Sequence, residues 1–166
     1  MARMEEPLVI RLFKETDIEA MCAIWNEVVE GGIAFPQEEL LDEASAREFF
    51  ASQSATAVAE GGGKVLGLYI LHPNNVGRCA HVANASYAVA SAARGRGLGR
   101  MLVSDSLVRA GDLGFSGLQF NAVVASNAGA VHLYEDLGFA CIGTIPGGFR
   151  LKDGTFEDTR IYFHRV

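Results

Sequence analysis

Arg94-Gly95-Arg96-Gly97-Leu98-Gly99-Arg100 is the stretch on which the reading of this chain turns, because it follows a strand-like run and opens a helix-like one. Without Cβ atoms, Gly95, Gly97 and Gly99 let the backbone bend sharply and approach an anion, so that successive N–H groups converge on one ligand. A helix starting near Gly97, with Leu98 in its first turn, adds the positive end of its dipole. Arg94, Arg96 and Arg100 offer charge-assisted contacts to a pyrophosphate or a 3′-phosphate. The segment is not a nucleoside-triphosphate loop, which needs a terminal Gly-Lys-Ser/Thr for the γ-phosphate and magnesium. A dinucleotide site needs Gly-x-Gly-x-x-Gly after the first strand and an acidic residue about 20 residues on. Here the spacing is Gly-x-Gly-x-Gly and lies past mid-chain, and no acid ends a following strand at that distance.

A second segment narrows the choice. It reads Asn127-Ala128-Gly129-Ala130-Val131-His132-Leu133-Tyr134-Glu135-Asp136-Leu137-Gly138-Phe139. Together the two segments resemble the GCN5-related N-acetyltransferase superfamily, whose signatures are Arg/Gln-x-x-Gly-x-Gly/Ala and then Asn-x-x-Ala-x-x-Leu-Tyr-x-x-x-Gly-Phe. Arg94, Gly97 and Gly99 fill the first; Asn127, Ala130, Leu133, Tyr134, Gly138 and Phe139 fill the second. Order and separation are those of the family, which makes the joint match far more specific than either part. The weaker His81-Val82-Ala83-Asn84-Ala85 resembles a branch that acetylates azetidine-2-carboxylate and related proline analogues.

The rest of the chain is compatible with this. Its 166 residues, 49% of them apolar, suffice for one domain spanning 1–166 with a real core. No apolar run approaches the roughly 20 residues of a membrane span and no leader-like segment opens the chain, so a soluble, cytoplasmic protein is expected. Cys22, Cys79 and Cys141 are odd in number and scattered, which disfavours a disulfide framework and a metal site. Cys22 and Cys141 read as core, and Cys79 as a loop residue. A formal charge of −6 argues against a generic nucleic-acid binder and tolerates cationic partners such as amines.

Hydrophobic periodicity predicts a first strand over 7–14 and a helix with Thr16 as N-cap, ended by Gly31-Gly32. A second helix is expected around 45–52, and a hairpin of strands 56–60 and 64–71 around Gly61-Gly62-Gly63. A fourth strand over 81–90 leads into a helix over 97–113 with Leu98, Met101, Leu102, Ser106, Leu107 and Val108 inward. A strand over 117–124, a helix over 128–137 and closing strands over 139–144 and 157–165 complete the order. The last two are joined through turns at Gly147-Gly148 and Asp153-Gly154. Such an order implies an α/β fold, a mixed sheet covered by helices. The resemblance makes that sheet mostly antiparallel, with the fourth and fifth strands splayed so that a pantetheine arm fills the wedge.

By the same resemblance, the cosubstrate is acetyl-CoA. Arg94 to Arg100 would hold its pyrophosphate, and backbone around Tyr87 to Val89 would pair with pantetheine, an N–H near Val89 polarising the thioester carbonyl. Ordinary strand packing is the plain alternative for Tyr87 and Val89. Tyr134 is the candidate acid for the departing thiolate, since a phenol near pKa 10 stands close to a thiol near 8.5. Asn127, two helical turns earlier, lies along the same cofactor or simply caps its helix. The small side chain of Ala130 lets that helix approach closely. Many family members carry a glutamate a few residues before the phosphate loop on the fourth strand, and this chain has Asn84 near that place; a carboxamide accepts no proton at neutral pH but orients an amine or a water. The general base is thus open, with His72 and His81 as titratable candidates. Phe35, and more weakly Phe149, would line an acceptor pocket. Asn75 and Arg78 either meet a substrate carboxylate or build a turn with Asn74. The activity implied is direct transfer of acetyl to a small amine or amino acid in a ternary complex. Alternatives are a protein N-acetyltransferase and a non-catalytic coenzyme A-binding regulatory domain. Family members commonly form homodimers; nothing in this sequence establishes one.

Overall fold

The computed structural model describes residues 6–166. Its strands are β1 (Val9–Leu12), β2 (Ala55–Gly61), β3 (Lys64–Pro73), β4 (Val82–Val89), β5 (Gly117–Val124), β6 (Ala140–Arg150) and β7 (Phe156–Arg165). The helices are α1 (Ile18–Gly31), α2 (Glu43–Ala51), α3 (Leu98–Asp112) and α4 (Ala128–Asp136). Among the described residues, seven strands form one sheet in the order β1-β2-β3-β4-β5-β7-β6. Every neighbouring pair is antiparallel except β4 and β5. Each face of the sheet is covered by helices, and strand alternation divides the core accordingly. On β3, Leu68 and Ile70 join Trp25 and Phe50 beneath α1 and α2, while Tyr69 and Leu71 join Leu102 and Leu118 beneath α3.

The junction of β4 and β5 positions the site. Their parallel pairing covers only Val82–Asn84 against Gly117–Gln119, and beyond it the strands separate. β5 turns instead toward β7, with an irregular register between Phe120 and Val123. The splay expected of strands four and five is therefore present.

Several expectations change in detail. α1 is not capped by Thr16: a 3₁₀ turn over Glu15–Asp17 precedes it, and the carboxylate of Asp17 accepts the Lys14 N–H at 2.7 Å. Asp17 is held there by Arg11 of β1, which donates to it at 2.7 and 3.0 Å. On α3, Val108 is 67% exposed, while Val103 and Ala110 are buried with Leu98, Leu102 and Ser106. Two residues past Ser106, Val108 is rotated about 200° from it, onto the solvent face. Cys141 is exposed because β6 is an edge strand, not a core one. β6 also runs on to Arg150 through Gly147-Gly148, where the register with β7 breaks between Ile145 and Phe149. The reversal is made only by the following turn, in which Asp153 accepts from the Thr155 N–H at 2.9 Å.

The Arg11 guanidinium holds the Asp17 carboxyl below the usual carboxylate range, against the opposing effect of burial. A carboxyl whose folded pKa is depressed stabilises the fold above its unfolded value near 4, and that contribution is lost as pH falls through the folded value. Asp17→Asn is therefore expected to cost about 1.5–3 kcal/mol at pH 7, the range for hydrogen bonds to charged groups. Urea unfolding should show the difference from wild type shrinking below pH 4.

Candidate active site

Where β4 and β5 part, a cleft of about 530 Å³ opens. Its walls are β4 from Asn84 to Tyr87, β5 from Phe120 to Val124, and α4 through Asn127, Ala130 and Tyr134. The segment between α1 and α2 brings Phe35 and Gln37 over it, and Phe49, Gln53, Ile70 and His72 complete the lining. That segment is pinned by Asn26 of α1, whose amide donates to Leu41 O at 2.8 Å and accepts the Leu41 N–H at 2.9 Å. Phe35 is buried against Trp25, ring centroids 4.4 Å apart. The segment carrying Phe35 is thus a fixed wall of the cleft.

The backbone of β4 faces the cleft in a defined pattern. At one end of the β3–β4 ladder the Asn74 N–H donates to Val82 O (2.8 Å), and at the other the Ala90 N–H donates to Leu66 O (2.9 Å). In an antiparallel pair the bonded residues alternate with residues whose polar groups point the other way. With this register, the backbone groups of Ala85, Tyr87 and Val89 point away from β3 and toward β5; the parallel Asn84–Gln119 pair takes up the Ala85 N–H, and the Ala85 carbonyl and both groups of Tyr87 and Val89 lie past it. Strand backbone without a strand partner needs another source of hydrogen bonds, and an extended amide chain is a matching one.

Asn84 stands at the point of divergence. Its Nδ2 donates to Gln119 O at 3.0 Å, bridging the strands at their last register pair and leaving Oδ1 as its acceptor in the cleft. β4 then leads through a short 3₁₀ turn at Ser91–Ala93 into the arginine- and glycine-rich loop. Glu27 of α1 ties this turn down, accepting the Ser91 N–H at 2.7 Å and the Ser91 hydroxyl at 3.0 Å. Gly97 occupies the N-cap of α3 at φ +76°, a left-handed conformation that favours glycine, and no side chain caps the helix. The first N–H groups of α3 are thereby left for an anion. A Cβ at Gly99 would lie 3.4 Å from the Leu133 side chain, an ordinary contact, so α3 and α4 pack side by side there without requiring glycine. Arg94 and Arg96 are exposed in the loop, whereas Arg100 pairs with Asp136 and bridges α3 to α4.

On α4, Asn127 does cap its helix, Oδ1 accepting the Ala130 N–H at 3.3 Å, and it lines the cleft as well. Tyr134 lies 4.5 Å from Phe120, centroid to centroid, and burial pushes its phenol well above the ordinary tyrosine value. It therefore stays protonated at neutral pH. The Tyr87 hydroxyl is committed elsewhere, 2.7 Å from Ser106 Oγ, so its side chain is core and its backbone is what the gap sees. Asn75, Arg78 and Cys79 are exposed on the β3–β4 connection and His81 is exposed at the start of β4; none lines the cleft. Phe149 lines a separate 900 Å³ hollow on the other side of Phe35. The turn-building alternative for Asn75 is the one the structure displays, its Oδ1 accepting the Val76 N–H at 2.7 Å.

Asn121 is a cleft residue that the sequence reading passed over. Its Oδ1 accepts from Gln119 Nε2 at 2.9 Å, and its Nδ2 donates to Asn74 Oδ1 at 2.6 Å. The available signal was a polar side chain interrupting an apolar strand run. Ionisable groups are sparse here. Among the described residues, the lining holds no Asp, Glu, Lys or Arg, and its titratable groups are His72, Tyr87 and Tyr134. Among the described residues no group of His, Cys, Asp or Glu is placed to hold a metal ion, and no helix is long and apolar enough to cross a membrane.

A sheet parted at one parallel junction beside a glycine-rich helix start is the architecture of an acyl-carrier-dependent transferase. The chain belongs to the acetyltransferase (GNAT) family, whose model matches residues 18–139, and is an N-acetyltransferase. It is 30% identical over 167 aligned positions to N-acetyltransferase aca1 of Schizosaccharomyces pombe, covering 90% of this chain and 80% of that protein. A GCN5-related N-acetyltransferase from Kribbella flavida is 37% identical, with TM-score 0.89 over 96% of this chain and 98% of that one. A phosphinothricin acetyltransferase from Sinorhizobium meliloti, solved with acetyl-CoA, shares the fold at 22% identity, with TM-score 0.88 over 96% of this chain and 88% of that one.

The bridge at the head of the cleft is open to test. Asn84→Asp replaces a donor by an acceptor facing the Gln119 carbonyl, with an expected cost of about 1–3 kcal/mol. Urea denaturation at pH 7 reads it. A stability equal to wild type would mean that the bridge contributes nothing.

Proposed function

We propose that this chain transfers acetyl from acetyl-CoA to the amine of a small molecule or amino acid, by direct attack within a ternary complex. The observation that carries the reading is the run of outward-facing backbone groups at Ala85, Tyr87 and Val89, beside α4 and continuous with the uncapped start of α3. Acetyl-CoA supplies the acetyl group activated as a thioester. Backbone N–H groups from Gly95 to Arg100, with Arg94 and Arg96, suit its pyrophosphate. The gap-facing groups of Tyr87 and Val89 suit the pantetheine amides, and the Val89 N–H suits a carbonyl oxygen gaining negative charge. Ala130 keeps α4 close to that path, and Asn127 flanks it. Tyr134 holds a phenolic hydrogen for the departing sulfur; burial makes the phenolate costly, so the hydroxyl stabilises the thiolate by hydrogen bonding more readily than by giving up its proton.

The acceptor end is bounded by Phe35, Gln37, Gln53, His72, Asn84 and Asn121. A wall of amides without fixed charge suits a compact, neutral or zwitterionic acceptor, whose carboxylate amide N–H groups can meet. A polyamine or a basic peptide segment would find no carboxylate here. The cysteines also favour direct attack over a covalent acyl-enzyme, since Cys22, Cys79 and Cys141 all lie outside the cleft lining.

Two measurements test the reading. Tyr134→Phe should lower kcat for thiol release by about 10²-fold or more while leaving the acetyl-CoA dissociation constant within a few-fold of wild type. Equal turnover would remove Tyr134 from the acid role. Arg94→Ala should chiefly raise the apparent KM for acetyl-CoA and leave the KM of an S-acetylpantetheine fragment, which lacks the phosphates, unchanged. An unaltered acetyl-CoA constant would argue against phosphate recognition at the loop.

A further inference from the structure

We infer that His72 is the proton acceptor for the substrate amine, in place of a carboxylate at position 84; this rests on the proposed function. The family position for a base is taken by Asn84, whose amide cannot take up a proton and whose Nδ2 is already given to Gln119 O at 3.0 Å. His72 and Asn84 are direct cross-strand partners on β3 and β4, so their side chains emerge side by side on one face of the sheet. Both line the cleft. The histidine thus stands next to the vacated position, on the neighbouring strand.

Its ring is set for the task by a local hydrogen bond. His72 Nδ1 lies 2.9 Å from the carbonyl oxygen of Pro73, and a carbonyl only accepts. Nδ1 therefore carries the hydrogen, and Nε2 is left as the ring's proton-accepting atom.

The surroundings leave no competitor. Across α2, β4, β5, α4 and the 32–42 segment, the other titratable groups that line the cleft are Tyr87 and Tyr134. Tyr87 is bonded to Ser106, and both phenols are pushed up by burial. His81, the other histidine of this region, is exposed at the strand end with its backbone carbonyl bonded to Ser116. In the step assigned to His72, one N–H bond of the substrate ammonium breaks and an Nε2–H bond forms. The amine nitrogen keeps the electron pair with which it attacks, and the imidazolium, only partly buried, passes the proton to bulk water.

The test uses the full chain, a panel of alkyl amines and amino acids, and methoxyamine, an acceptor already neutral at pH 7. For an alkyl amine, kcat/KM should fall as pH drops through the titration of His72, and the His72 ring signal in an NMR titration should share that midpoint. His72→Gln should lower kcat/KM for the alkyl amine about 100-fold or more at pH 7 and abolish the limb set by the ring. With methoxyamine the loss should be within a few-fold, and the acetyl-CoA dissociation constant by calorimetry should not change. A variant that keeps the wild-type rate and acid limb overturns the inference, as does an equal loss with methoxyamine. Should His72→Gln fail to fold, an NMR midpoint separate from the kinetic one overturns it on wild type alone. A wild type that binds acetyl-CoA but releases no thiol with any amine overturns the proposed function first, and this inference with it.

Discussion

Three residue pairs of parallel pairing between β4 and β5, sealed by the Asn84 side chain on the Gln119 carbonyl, hold up the rest of this molecule. On one side of that seam the sheet is continuous, and on the other the strands diverge. Longer pairing would consume the Ala85 carbonyl and the backbone groups of Tyr87 and Val89 in the β4–β5 ladder and leave no slot. Shorter pairing would detach β5, β7 and β6 from the first half of the sheet. A side-chain amide suits the seam because it extends hydrogen bonding by one step beyond the backbone without bringing the strands together.

Around the seam, the layers on both faces act as clamps. α1 reaches two functional segments through polar side chains: Asn26 fastens the segment carrying Phe35, and Glu27 fastens the turn before the arginine-glycine loop. These anchors are neighbours on one helix, so the acceptor wall and the anion loop are referenced to the same rigid body. On the opposite face, Tyr87, Phe120, Tyr134 and Phe139 form a contiguous aromatic group whose centroids lie 4.5–6.4 Å apart. This packing places the Tyr134 hydroxyl and keeps the phenol un-ionised. Low charge in the cleft follows the same logic, since an unpaired buried carboxylate or ammonium would be costly.

Much of this could be read beforehand from particular residues. The Arg94–Arg100 loop and the Asn127–Phe139 segment were legible because their chemistry depends on local spacing: glycine conformations, a cap, and two side chains two turns apart. Strands β2 to β5 were legible as short apolar runs bounded by turn residues, because strands covered on both faces are apolar on both. Reading failed where the deciding contact is remote. Thr16 looked like a cap until Arg11, on another element, claimed Asp17. Cys141 looked buried because an apolar run does not say whether its strand is central or at an edge. Asn75 and Arg78 are near Asn84 in the chain but diverge from it in space, while Asn121, 37 positions away from Asn84, returns to it across the β5 wall.

By itself the sequence determined what is local: the elements in order, an anion-receptive turn at a helix start, and the helix bearing Asn127 and Tyr134. These depend on φ, periodicity and capping within a few residues. Tertiary structure alone decided which β4 backbone groups face the gap, which histidine reaches the cleft, and that among the described residues no Asp, Glu, Lys or Arg lines it. Those properties depend on register and on packing between elements distant in the chain, where a shift of one residue would exchange the two faces of a strand.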